Sequence, residues 1–170
     1  MKPVERWFDR KFDFSFPIDL YPNLLMRLRG TPARLEEVVK SCAPDHMVRA
    51  PHGKWSPQEH AGHLSDLEPL WMARVEDFVA GSSEMTVADL TNRRTFEAGH
   101  NGRPLGAILQ EFRNGRETLV ERVEKLDPLS FERAIPHPRL EVPMRLVDHL
   151  FFVAEHDDHH LAIIWRMIRD

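Results

Sequence analysis

The sequence predicts an all-α four-helix bundle, and three observations support this. Four long stretches of the 170-residue chain repeat apolar residues at spacings of three and four, which places them on one face of a helix. Proline-rich segments separate these stretches, and no stretch shows the apolar–polar alternation that is typical of a half-buried strand. The length fits one domain. We therefore expect a single domain over residues 1–170, with residues 1–17 as an N-terminal arm that packs through its aromatic side chains.

Three of the long helices are predicted from their apolar faces. The first covers residues 20–42, with a kink or break at Gly30 and Pro32, because proline lacks the N–H that a helix interior needs. The third covers residues 105–126. The last, over residues 144–168, is apolar on more than one side, so it is expected to be the most buried helix.

A capping signal marks the start of the second helix. Ser56 suits the N-cap position, and Glu59 completes a Ser-x-x-Glu capping box. Gly81 is the stop signal. Beyond it, a short helix is predicted within residues 87–97, and the four prolines of residues 127–143 predict a connecting loop.

Charge and composition exclude several classes of protein. The chain has 23 Lys and Arg residues against 27 Asp and Glu residues, so binding to nucleic acid through phosphate neutralisation is disfavoured. No apolar run approaches the length of about 18 residues that a membrane span needs. Cys42 is the one cysteine, which rules out an intramolecular disulfide and fits a reducing, cytoplasmic location.

Histidine is the unusual residue of this sequence, with ten copies. His156 and His160 lie four positions apart, so on a helix their rings stack on one face about 6 Å apart. Roughly 0.6 pairs at this spacing are expected by chance, so the spacing alone is weak evidence. Their position in an otherwise apolar helix is stronger evidence, because a buried polar ring needs a partner and a metal ion would supply one.

A third metal ligand is predicted on the second helix. His63 lies about two turns inside it. His60 lies nearer the helix end and is expected either to be solvated or to contact a metal-binding residue without binding the metal itself. Three imidazoles leave at least one coordination position open, as in catalytic metal sites. Asp66 could orient the His63 ring or face solvent. His159 and His149 could contact the site or serve packing alone.

Other side chains near these histidines have structural interpretations. The acidic residues of the last helix are expected on its solvated side: Glu155, Asp157 and Asp158. Three aromatic residues are expected in the core rather than around a ligand: Trp55, Trp71 and Trp165. The motifs of zinc proteases, of serine hydrolases with a nucleophile elbow and of nucleotide-binding loops are absent.

Two segments resemble the DinB/YfiT-like superfamily. Residues 55–64, WSPQEHAGHL, look like the start of its second helix, and residues 149–161, with their paired histidines, look like its last helix. In that family one histidine of the second helix and two of the last helix bind a divalent metal. Carried over by position, these ligands are His63, His156 and His160. Three nitrogen ligands suit zinc or nickel, with iron as a further candidate.

The resemblance also implies a fold and a set of functions. The family fold is an up-down-down-up four-helix bundle, often a homodimer, and some members use a low-molecular-weight thiol such as bacillithiol or mycothiol. We therefore expect a metal-dependent enzyme, a thiol transferase or a hydrolase, that acts on a small molecule. Two alternatives stay open: a non-enzymatic, stress-related metal-binding bundle, and a metal-free dimeric interaction module.

Overall fold

Four long helices carry the fold in the computed structural model, which describes residues 3–50 and 53–169. Two short helices and a small hairpin lie in the connections. In chain order the elements are α1 (Tyr21–Val39), α2 (Pro44–Met47), α3 (Pro57–Ala80), α4 (Arg93–Glu97), α5 (Leu105–Glu124), β1 (Ala134–Pro136), β2 (Pro143–Arg145) and α6 (Leu146–Met167). The all-α prediction is confirmed. Within the described ranges, no helix is both long and apolar enough to cross a membrane.

Side-chain pairs between the helices define the up-down-down-up order. Helix α1 packs against α5 and α6, and α3 packs against the same two helices. Helices α1 and α6 run parallel, since residue numbers rise together in the pairs Arg27–Glu155 and Arg34–Asp158. Helices α3 and α5 also run parallel, as the pairs Glu68–Arg116 and Glu76–Arg122 show. Helices α1 and α5 run antiparallel, since residue numbers change in opposite directions in the pairs Arg29–Glu124 and Glu36–Arg113. Helices α3 and α6 are antiparallel as well, as the pairs His63–His160 and Trp71–His149 show.

The capping box predicted for α3 is present. The backbone N–H of Ser56 donates to Glu59 Oε2 at 2.7 Å, and the N–H of Glu59 donates to Ser56 Oγ at 3.1 Å. Gly81 ends the helix in the left-handed conformation, with φ 69°, which glycine adopts without a Cβ clash. Local signals therefore set both ends of α3, which carries one of the predicted ligands.

Helix α1 continues through Pro32, so of the two expectations at Gly30 and Pro32, a kink or a break, the break is absent. A proline in a helix leaves the carbonyl four residues earlier without its backbone donor. Here that carbonyl belongs to Leu28, and it accepts a hydrogen bond from Arg116 Nη1 on α5 at 3.3 Å. A side chain from another helix thus replaces the missing bond.

The connection before α6 contains strands that the sequence pattern did not reveal. Residues 127–143 were expected to form a loop, but β1 and β2 pair antiparallel, with Ile135 opposite Met144. The last helix begins at Leu146, two residues later than predicted. Strands of three residues are too short for an alternating pattern to stand out, which explains the miss.

The N-terminal arm packs onto α6 through its aromatic residues. Residues 3–20 contain two single 3₁₀ turns, and Trp7, Phe12, Phe14 and Phe16 lie against the core. Trp7 and Phe12 both contact the ring of Phe152 on α6, with centroids 5.1 Å apart in each pair. The arm thereby reaches the helix that carries two of the predicted ligands.

A buried ion cluster joins all four long helices. Arg116 of α5 is 1% exposed and donates to Glu68 of α3, with Nη2 to Oε1 at 2.7 Å. The same guanidinium pairs with Asp157 of α6, where Nη2 lies 3.1 Å from Oδ1, and reaches Leu28 of α1 as described. Gly115 leaves room for the cluster, because a Cβ there would lie 2.9 Å from Glu68 Cγ.

Asp157 was expected on the solvated side of the last helix, and this was wrong, since it is 0% exposed. The other two acidic residues, Glu155 and Asp158, are half-buried and pair with arginines of the arm and of α1. Because α6 is buried on most of its circumference, its polar positions face the interior and need partners there.

The ion cluster also divides the apolar core into two parts. One part is formed around Leu28, Trp71, Leu119 and Val153, and the other around Leu35, Leu64, Phe112 and Leu161. On each long helix a polar residue lies between the two parts: Thr31, Glu68, Arg116 and Asp157. A polar layer therefore crosses the bundle, and it lies at the level of the predicted metal ligands on α3 and α6.

Replacing Arg116 with Met is expected to lower the free energy of unfolding by about 3–5 kcal/mol, because two buried carboxylates would lose their cation. The matched control is Arg122→Met on the same helix, because Arg122 pairs with Glu76 near the surface, and there the loss should stay below about 1 kcal/mol. Urea denaturation followed by circular dichroism measures both losses. Equal losses would contradict a central role for the buried cluster.

Candidate metal centre

The three predicted ligands come together on facing helices. His63 of α3 and His156 and His160 of α6 are 4%, 5% and 6% exposed. One ring nitrogen of each lies within 4.8 Å of the other two. The antiparallel packing of α3 on α6 produces this convergence, since it brings the start of one helix beside the end of the other.

The two ligand nitrogens of α6 have the spacing expected around one metal ion. His156 Nε2 and His160 Nε2 lie 3.2 Å apart. Two nitrogens bound to one zinc ion at about 2.0–2.1 Å in tetrahedral geometry lie about 3.3 Å apart. The set is neutral and nitrogen-based, which suits zinc, nickel or iron better than calcium or magnesium.

Burial keeps these rings neutral at physiological pH. It lowers the pKa of His63 to about 4, and it lowers the pKa values of His156 and His160 well below the ordinary histidine value. Neighbouring rings act in the same direction, because a second positive charge in the cluster is unfavourable. A neutral imidazole has the free lone pair that metal binding requires.

His63 is oriented by a chain of hydrogen bonds. The hydroxyl of Thr95, on α4, donates to Asp66 Oδ2 at 2.9 Å, so its oxygen accepts from His63 Nδ1 at 3.0 Å. His63 Nε2 is therefore the free ligand atom. His100 Nε2 lies 2.8 Å from the same Asp66 oxygen. Although burial opposes it, hydrogen bonds from His100 and Thr95 lower the pKa of Asp66.

His160 is held in the same way by the other histidine of α3. His60 Nδ1 and His160 Nδ1 lie 2.9 Å apart, so one of them donates a proton to the other. This contact leaves His160 Nε2 facing His156. His60 was expected either to be solvated or to contact a metal-binding residue without binding the metal itself. In the structure it contacts His160, one of the predicted metal ligands.

The remaining histidines of α6 have different positions. His159 lies at the wall of the adjacent cavity, and its ring contacts Trp7. His149 is fully buried against Trp71 and Phe78, and neither of its ring nitrogens has a hydrogen-bond partner among the described residues. His149 is thus a core histidine, whereas His159 faces the candidate site.

An aromatic cavity of about 300 Å³ opens beside the three predicted ligands, all of which lie in its wall. Trp7, Trp55, Trp71 and Phe152 form much of the remaining surface. Trp71 is buried in the core, as expected, but both Trp71 and Trp55 also line this cavity, so the expectation that they would not surround a ligand was wrong. The side chain of Trp55 lies against His63, with ring centroids 4.7 Å apart, so it shields the candidate metal centre on one side.

Several residues of this site were not found from the sequence. Thr95 and His100 lie between the second and third long helices, in a segment without strong periodicity. Trp7 reaches the site from the arm and contacts His156, with centroids 4.9 Å apart. Asp66 was a candidate to orient His63 directly, but it does so through Thr95. Nothing in the local pattern of these segments indicates where they contact α3 or α6.

Comparison with known proteins gives the family. The family model of the DinB superfamily matches residues 27–164, which include all three predicted ligands. The chain belongs to the DinB superfamily. The resemblance drawn from the two histidine segments is thereby confirmed. No curated protein sequence matches the chain.

Two solved structures share the DinB-like fold of this chain. YfiT from Bacillus subtilis, described as a probable metal-dependent hydrolase with an unusual four-helix bundle topology, is 17% identical, with a TM-score of 0.81 over 94% of this chain and 92% of that chain. A mycothiol-dependent maleylpyruvate isomerase is 9% identical, with a TM-score of 0.67 over 86% of this chain and 60% of that chain. At these identities the likeness establishes the fold.

A glycine allows His100 to support the site. A Cβ at Gly62 of α3 would overlap the His100 ring, so we expect Gly62→Ala to lower the free energy of unfolding by about 1–3 kcal/mol. The matched control is Gly30→Ala in α1, where a Cβ meets nothing within 4 Å and better helix propensity should add about 0.5–1 kcal/mol. Urea denaturation measures both, and a stabilised Gly62→Ala protein would contradict the packing described.

Proposed function

We propose that this DinB-superfamily chain is a divalent-metal-dependent enzyme that uses His63, His156 and His160 as its metal ligands. The observation that carries the proposal is the convergence of three buried imidazoles at the wall of an aromatic cavity. A closed structural site would need a fourth protein ligand, whereas three leave a position for a reactant. The cavity favours an enzyme over a bundle in which metal only adds stability.

The side chains of this chain prepare the site in three ways. Thr95 and Asp66 hold His63 with its Nδ1 protonated, so that Nε2 is directed to the metal position. His60 holds His160 through the contact between their Nδ1 atoms, and when His160 is the donor in this pair its Nε2 is free for the metal. The indole rings around the cavity exclude bulk water, which strengthens electrostatic interactions inside it. A bound divalent ion would supply Lewis acidity, lowering the pKa of a water or thiol held beside it.

Two reactions fit this arrangement, and they differ in the nucleophile. Hydrolysis by water is supported by the shared fold with YfiT, a probable metal-dependent hydrolase. Transfer of a low-molecular-weight thiol to an electrophilic small molecule is supported by the shared fold with a mycothiol-dependent enzyme. The absence of a cysteine among the residues that form the cavity means that a thiol nucleophile would come from a cofactor.

Metal content tests the ligand assignment. Tag-free wild-type protein is expected to bind about one zinc, nickel or iron ion per chain by plasma mass spectrometry. His63→Ala and His160→Ala are each expected to lose it, because two remaining imidazoles hold a metal weakly. His46→Ala removes an exposed histidine of α2 and should retain the metal. Equal metal content in all four proteins would refute the assignment.

Turnover tests the enzymatic proposal. We expect the metal-loaded protein to hydrolyse activated esters or amides, or to conjugate thiols to electrophiles, and to lose this activity on chelation and in His160→Ala. His46→Ala should keep full activity. If the loaded protein has no activity in either screen but melts at a lower temperature after chelation, the metal serves stability and the enzymatic proposal fails.

A further inference from the structure

A second polar cluster lies in the cavity that the three histidines share. Arg74 of α3 and Arg139, between β1 and β2, line the cavity together with His137. Arg74 is 2% exposed. Within the described ranges, no carboxylate oxygen lies within 4.0 Å of either guanidinium. Arg116, the other buried arginine of the described residues, does have carboxylate partners, so a buried Arg74 without one is unusual.

Two carboxylates in this region are engaged elsewhere. Asp77, one turn after Arg74, accepts the backbone N–H and the hydroxyl of Thr86 at 2.6 and 2.8 Å. Asp89 also lines the cavity, but its carboxylate accepts the N–H and hydroxyl of Thr91 at 2.9 and 2.6 Å. The two guanidinium charges are therefore not neutralised by a direct contact.

The arginines are held in place by contacts that leave hydrogen-bonding capacity. Arg74 Nε donates to the carbonyl of Thr86 at 2.9 Å. The Arg139 guanidinium lies over the rings of Phe8 and Phe152, at 5.2 and 5.9 Å from their centroids. Its Nη2 is buried and has no hydrogen-bond partner among the described residues. A buried, unsatisfied, charged donor is costly, and an anionic acceptor would remove that cost.

His137 adds a donor at the same place. Its Nδ1 lies 3.2 and 3.1 Å from the backbone N–H groups of Arg139 and Leu140, which can only donate. The neutral ring therefore carries its proton on Nε2, and this atom lies 3.2 Å from Arg74 Nη1, another donor. Two N–H groups that face each other cannot form a hydrogen bond together, whereas a ligand oxygen could accept from both His137 Nε2 and Arg74 Nη1.

We infer that Arg74, Arg139 and His137 bind the carboxylate of the substrate, and that the substrate class is an aromatic or aliphatic carboxylic acid whose reactive group lies at the three histidines. The inference rests on the proposed function for the reactive end, but not for the binding of the anion. Planar guanidinium groups suit a carboxylate, which can accept hydrogen bonds on both oxygens.

The positions along α3 agree with a ligand that spans the two clusters. Residues 63 and 74 are eleven positions apart, which is close to three full turns, so both lie on the same helix face. The rise between them is about 16 Å, and the long Arg74 side chain can shorten the span. Between them the cavity is walled by Leu67, Leu70, Trp71 and Phe152, which suits an apolar body.

Calorimetry with a matched pair of probes tests the anion site. The probes are 4-phenylbutanoate and its neutral analogue 4-phenylbutanamide, titrated into the full chain before and after chelation of metal. We expect the carboxylate to bind about tenfold or more tightly than the amide in both states. Arg139→Gln and Arg74→Gln should each reduce this preference to about twofold or less. Arg29→Gln, which alters an ion pair with Glu124 outside the cavity, should retain it.

Three outcomes would overturn the inference. The first is equal binding of the two probes to the wild-type protein. The second is a carboxylate preference that disappears when metal is removed, because the metal would then be what binds the carboxylate. The third is a carboxylate preference that survives in both arginine variants. Arg139 is half-buried in a connection, so its variant keeps the test decisive if Arg74→Gln fails to fold. A carboxylate preference without turnover would refute the proposed function alone, and turnover without the preference would refute this inference alone.

Discussion

The arrangement of the whole bundle depends on one buried cation. Arg116 of α5 pairs with Glu68 and Asp157 and donates to the Leu28 carbonyl, so one guanidinium contacts each of the other three long helices. Sliding any helix by a turn would leave at least one buried charge or carbonyl without its partner, which is strongly unfavourable. The cluster therefore selects one register. Since Asp157 adjoins His156 in sequence, the same register sets the position of the candidate metal ligands.

The polar layer is costly, and the two apolar clusters on either side of it offset that cost. Burial raises the pKa of Glu68 to about 7, even though Arg116 acts in the opposite direction, which indicates how unfavourable a charge is at this depth. The same low-polarity surroundings keep the nearby histidines neutral. One physical condition, exclusion of water from the middle of the bundle, thus serves both the selection of register and the readiness of the imidazoles to bind a metal.

The cavity is built by segments that lie far apart in the chain. The arm contributes Trp7, the α2–α3 connection contributes Trp55, and the hairpin region contributes His137 and Arg139. These parts pack against the antiparallel pair of α3 and α6, which supplies the histidines. The candidate ligands therefore lie on a rigid helical pair, while the surrounding connections shape the pocket, which is the usual placement of binding residues on loops held by a rigid scaffold.

What the sequence determined by itself was the set of long helices and the candidate metal ligands. Helical periodicity placed the long helices within a few residues, the Ser56–Glu59 capping box placed the start of α3, and the spacing of His156 and His160 placed two rings on one face. These signals depend only on neighbours within a turn or two. Tertiary structure alone decided the burial of Asp157 and the link from His63 through Thr95, because each depends on a partner dozens of residues away. No periodic signal reports such a partner, since the contact exists only once the helices have packed.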